Sequence, residues 1–121
     1  MQHSYDPENI FARILRGEIP NDTVLETEHA LAFRDIRPQA PVHVLVIPKG
    51  PYATLDHFCE AASDAEIAGF WRAVGQVCED AGVEDGFRLI ANAREHGLQE
   101  VPHFHVHVLA GRPLGPILSA G

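Results

Sequence analysis

Apolar positions along this chain recur at two periods, and the alternation between them predicts the elements. Ile10, Phe11, Ile14 and Leu15 share one helical face, with Asp6-Pro7-Glu8 before them and Gly17 after. Asp6 as N-cap, Pro7 at the first helical position and a terminating glycine predict a short amphipathic helix. A longer helix is predicted from Ser63-Asp64-Ala65-Glu66, which fits a capping box, followed by Ile67, Phe70, Trp71, Val74, Val77, Cys78 and Ala81 up to Gly82. Phe70 and Trp71 are both expected in the core. Period-two patterns predict strands over 23–28 and 30–35, joined tightly at Glu28-His29, and another over 87–93. Residues 42–47 are apolar on both faces except for His43, as in a central, doubly covered strand, and Pro48 should stop it. Residues 53–62 give little signal. Short early connections favour an α+β fold: an antiparallel sheet of about five strands with two main helices against one face.

The stretch His103-Phe104-His105-Val106-His107 carries the chemistry. On a strand, three imidazoles line one face while Phe104, Val106 and Val108 line the other. Same-face neighbours stand about 6.6 to 6.8 Å apart, so adjacent imidazoles can bear on one phosphate-sized group. Two chemistries fit. Neutral imidazoles among His103, His105 and His107 can ligate a metal such as zinc with an open position for water. Alternatively, one imidazole attacks phosphorus to form a phospho-histidine type intermediate while its neighbours hold the phosphate oxygens, and no metal is required. His43, set in an apolar strand, must find a partner, because an unpaired buried polar group costs roughly 1 to 3 kcal/mol.

Composition narrows the field. The 121 residues suit a single domain spanning 1–121, with no linker or second module. Nine Lys and Arg against seventeen Asp and Glu give a formal charge of -8, which offers no electrostatic footprint for nucleic acid. No apolar run approaches the length of a membrane span, and Met1 to Asp6 lacks a signal-peptide pattern, so a cytoplasmic protein is expected. Cys59 and Cys78 form no CxxC pair and read as reduced thiols, Cys78 in the core.

The His-apolar-His-apolar-His pattern resembles the signature of the histidine triad (HIT) superfamily of nucleotide hydrolases and transferases. Asn9-Ile10-Phe11, Arg16-Gly17-Glu18-Ile19-Pro20, residues 32–36, 38–43 and 45–49 extend the likeness to the histidine triad nucleotide-binding protein branch, whose members are purine nucleoside phosphoramidases. The likeness runs from about residue 8 to 118, and the Gly111-Arg112-Pro113-Leu114-Gly115 ending is similar to bacterial members.

The resemblance implies a HIT fold, a homodimer joined sheet edge to sheet edge, a purine nucleotide substrate and no cofactor. It implies that His105 is the nucleophile, that His107 holds phosphate oxygens, that the His103 carbonyl fixes the tautomer of His105, and that His43 lies beside them. Asp35 matches the carboxylate for the ribose hydroxyls. Ile10, Phe11, Ile14, Ile19, Phe33 and Ile36 match the purine wall, and Asn92 matches an amide at the phosphate or leaving group. Gln99 and Glu100 fall in a segment on the substrate side. Glu100 replaces a small hydroxyl residue of eukaryotic members: it can donate a proton to the departing amine, repel phosphate or point away. The tail after Gly115 also lacks the aromatic residue of those members. A dinucleoside polyphosphate hydrolase, a non-catalytic nucleotide-binding protein and a zinc metalloenzyme remain alternatives.

Overall fold

The computed structural model describes residues 2–118, so the expectation that the final residues tuck against a partner falls partly, for 119–121, outside the described residues. Among the described residues five strands form one antiparallel sheet in the order β1-β2-β3-β5-β4. They are β1 (Thr23–Glu26), β2 (Ala30–Arg34), β3 (Val42–Pro48), β4 (Phe87–Ile90) and β5 (Val106–Ala110). β1 and β2 are the predicted hairpin, with its turn closed by Thr27 Oγ1 accepting the Ala30 N–H. β3 is central, as its two-sided apolar pattern requires, and takes in Pro48 as its last residue.

Among the described residues three helices cover the sheet, on both faces rather than the one expected, because β2 and β3 present apolar side chains on each side. α3 (Asp64–Asp80) carries the predicted capping box, and its Phe70, Ala73, Val74, Val77 and Cys78 pack with Val44, Val46, Phe104, Val106 and Val108. Trp71 corrects the prediction: it is 38% exposed while Phe70 is fully buried. The buried stripe of this helix runs through Phe70, Ala73, Val74, Val77 and Cys78, and Trp71 stands at its edge, about 100° round from Phe70, where part of a large ring stays in solvent. α2 (Leu55–Ala61), which the sequence pattern did not reveal, joins the same layer through Phe58 and is capped by Thr54.

α1 (Ile10–Leu15) lies on the opposite face, where Phe11 and Ile14 pack with Leu31, Phe33, Leu45 and Ile47. Its N-cap is Asn9 rather than Asp6; the Asn9 side chain accepts the Ala12 N–H, while Asp6 accepts the Glu8 N–H in a turn just before the helix. Gly17, at φ +79°, ends the helix in the left-handed region that glycine adopts without strain. Among the described residues, no helix is long and apolar enough to cross a membrane.

Candidate active site

The histidines gather on the α1 face of the sheet. Only His107 belongs to the hydrogen-bonded part of β5; His105 immediately precedes it, and His103 lies in the bend before that, its N–H donating to the Val101 carbonyl at 2.8 Å. The alternation nevertheless holds, because Phe104, Val106 and Val108 all enter the core shared with α3. β3 pairs with β5 so that Leu45 faces His107 and His43 faces Leu109, which sets His43 diagonally beside His107.

Each proton position follows from its neighbours. The Pro48 carbonyl can only accept, so His103 Nε2–H donates to it at 2.9 Å, leaving Nδ1 to accept the Tyr5 hydroxyl at 2.7 Å. His105 Nδ1–H donates to the His103 carbonyl at 2.7 Å, which leaves the lone pair on Nε2. The Gln39 N–H donates to His43 Nδ1 at 3.0 Å, so His43 Nε2–H donates to His107 Nδ1 at 2.9 Å. His107 therefore carries its proton on Nε2. The result is one imidazole with an available lone pair beside another with an available N–H, their rings 5.0 Å apart.

Burial keeps these rings neutral. Desolvation pushes His103 and His107 down to about 4, with the neighbouring histidines adding to the fall, and also lowers His43 and His105. Asp35 offsets part of the effect at His43, His105 and His107, and Glu100 does so at His105. The unfolded chain binds protons at these imidazoles below pH 6.5, whereas in the folded chain His103 and His107 resist doing so down to about 4 and His43 and His105 are shifted in the same direction. Stability should therefore fall as pH drops through that window, by on the order of 3 kcal/mol for His103 alone. Urea midpoints between pH 7 and 4.5 check this. The decline should begin near 6.5, above the usual carboxylate range.

Asp35 stands beyond β2 with Oδ1 accepting the Arg37 N–H at 2.8 Å and Oδ2 3.4 Å from His43 Nε2. Phe11 meets His105 edge to face at 5.0 Å and Phe33 at 5.5 Å. Ile14 is buried beside them, and Ile19 packs partly buried against the same cluster. Ile10 and Ile36 remain 44% and 90% exposed. Asn92 is half-buried just past β4, and Glu100 is exposed. Gln99 does not present a free amide: Oε1 accepts the Arg94 N–H, and Nε2 donates to the carbonyls of Ala53 and Val101. It staples the loop instead. Tyr5, absent from the sequence reading, gave no pattern that marks it.

The imidazoles of His103, His105 and His107 do not converge as a metal set, since both nitrogens of His103 and Nδ1 of His105 are bonded within the protein. Among the described residues, Asp35, His43 and His107 bring ligand atoms within 4.8 Å of one another. The rings of His43 and His107 are already hydrogen-bonded to each other.

The family model described as the HIT domain matches residues 16–114, and the chain belongs to the HIT family. It is an enzyme, a hydrolase of the HIT type. Over its full length it is 61% identical to all of an uncharacterised 13.2 kDa HIT-like protein of Azospirillum brasilense. Over 93% of the chain it is 44% identical to the purine nucleoside phosphoramidase of Escherichia coli K12, covering 94% of that protein. The solved structure of a HIT family hydrolase from Legionella pneumophila superposes with a TM-score of 0.77 at 40% identity, over 88% of this chain and 95% of that one.

Proposed function

We propose that this chain hydrolyses purine nucleoside 5'-phosphoramidates through a nucleotidyl-histidine intermediate on His105. The observation that carries the reading is the 2.7 Å bond from His105 Nδ1–H to the His103 carbonyl, which leaves a neutral nitrogen lone pair on Nε2. In the first step, Nε2 bonds to the α-phosphorus, the phosphorus–amine bond breaks and the amine leaves with a proton. In the second, water bonds to phosphorus and loses a proton, the phosphorus–imidazole bond breaks, and the nucleoside monophosphate departs. His107 Nε2–H donates to a phosphate oxygen in both steps. The phosphoramidase relative from Escherichia coli supports this substrate class.

The same reading assigns the remaining substrate contacts. Ile10 and Ile36 expose apolar surface, and Phe11, Phe33 and Ile14 cluster together on the α1 face, which suits a purine ring. Each oxygen of Asp35 retains lone-pair capacity for a ribose hydroxyl. β4 ends the sheet with Phe87 and Leu89 exposed, which supports a homodimer formed along that edge.

Turnover of adenosine 5'-phosphoramidate bearing a fluorescent amine, in the presence of EDTA, tests the reading. Tight AMP binding without turnover would instead identify a nucleotide-binding protein, chelator-sensitive turnover a metalloenzyme, and preference for dinucleoside polyphosphates a different leaving group. Glu100 is exposed two residues before Pro102-His103 and its charge is felt at His105; a role in protonating the amine is tested by its amide variant. Glu100→Gln should lower kcat by roughly tenfold for basic, poorly leaving amines and by far less for an aniline. An equal fall for both would remove Glu100 from that role.

A further inference from the structure

We infer that Tyr5 is a positioning residue for the nucleophile, holding the His103 ring so that the His103 carbonyl stays aimed at His105 Nδ1. The inference rests on the reading of His105 as nucleophile. His103 is completely buried, and both of its ring nitrogens are spent inside the protein, on the Tyr5 hydroxyl and the Pro48 carbonyl. Its imidazole therefore has no atom left to offer a substrate. What His103 contributes to the site is its backbone carbonyl, and the ring serves to hold that residue still.

Tyr5 supplies the half of this hold that comes from outside the sheet. It lies in the segment before α1, 98 residues from His103 along the chain, and its ring meets the His103 ring edge to face at 5.6 Å. Burial raises the phenol above its ordinary value, so the O–H remains available to donate. The segment is clamped on both sides of Tyr5. Upstream, His3 stacks on His57 at 4.5 Å, with rings 7° from parallel, and its Nε2 lies 3.0 Å from Glu60 Oε2. Downstream, the Asn9 amide donates to the Asp6 carbonyl at 2.8 Å. Two clamps around one hydroxyl define a strap whose central contact is His103.

Loss of the hydroxyl would leave His103 Nδ1 buried with no donor, an unfavourable state that a rotation of the ring relieves. That rotation disturbs the Nε2–H bond to Pro48. The peptide that carries the His103 carbonyl is also held through Phe104 N–H to the Tyr52 carbonyl at 2.8 Å, so the nucleophile should be loosened rather than lost.

The test compares the substrate-free full chain with Tyr5→Phe by nitrogen-15 imidazole NMR, together with kcat and KM on the fluorescent phosphoramidate. In Tyr5→Phe the His103 nitrogen shifts should move, the His105 Nδ1–H should exchange faster with water, and kcat should fall by roughly tenfold with KM within about twofold. A fall in melting temperature alone, with the His105 proton and kcat as in the wild type, would overturn the inference. Should Tyr5→Phe fail to fold, His3→Ala releases the strap while keeping the hydroxyl: faster His105 Nδ1–H exchange supports the role of the strap, and wild-type exchange rejects it. The NMR result stands even if the wild type proves inactive on phosphoramidates, which separates failure of this inference from failure of the proposed function.

Discussion

His105→Ala should abolish phosphoramidate turnover, by roughly four orders of magnitude or more, while AMP affinity changes only a few-fold. The asymmetry follows from the geometry. In the proposed mechanism His105 Nε2 forms the bond to phosphorus, and no neighbouring imidazole can replace it. His103 has both nitrogens occupied, while His43 donates its Nε2–H to His107 and so leaves His107 with a proton, not a lone pair, on its outward nitrogen. The proposed contacts to base, ribose and phosphate come from other side chains, so binding should survive. Steady-state rates paired with calorimetric titration of AMP provide the check. Residual turnover within tenfold of wild type would remove His105 as nucleophile; equal losses of turnover and AMP binding would mark it as a binding group.

The pH profile of that turnover should reflect the same burial. Because desolvation lowers His105 below the ordinary imidazole value of 6.5, the acid limb of kcat/KM should lie below that value.

Much of this fold is written in hydrophobic periodicity. The long helix with its Ser63 and Glu66 box, the β1–β2 hairpin and the central β3 all follow from side-chain patterns that local physics decodes. What the pattern misses has identifiable causes. α2 buries a single large side chain, Phe58, so it has no stripe to detect. Asp6 precedes a proline and looks like a cap, but the cap that forms is Asn9, whose side chain also bonds back to the Asp6 carbonyl. The predicted strand over 87–93 ends at Ile90, because the residues beyond it enter the loop stapled by Gln99.

The site divides in the same way. The three histidines and their facing are legible from their spacing, and their family resemblance adds His43 and Asp35. The atoms that set the tautomers are not legible: the Pro48 carbonyl, the Gln39 N–H and the Tyr5 hydroxyl. Two of these are backbone groups, which every sequence contains. The third is a lone tyrosine brought to the site only by the path of the N-terminal segment.

Phe104→Ala should cost about 3 to 5 kcal/mol of folding stability, a large share of what a domain of this size possesses. Phe104 is 1% exposed, and its ring lies 5.2 Å from that of Phe58 and 5.1 Å from that of Phe70. It thus joins β5's approach to both α2 and α3. Truncation removes a ring from the meeting point of three segments, and a rigid sheet backed by α3 cannot collapse to fill the gap. Leu98→Ala, at an 80% exposed position, should change stability by no more than about 0.5 kcal/mol. Urea unfolding should show the Phe104 effect as a lower midpoint at unchanged m. Phe104 also lies between His103 and His105, so the folded fraction of Phe104→Ala should turn over more slowly than wild type even under conditions where it is fully native. A destabilised variant with wild-type kcat would show that the core behind the strand does not set the position of the imidazoles in front of it.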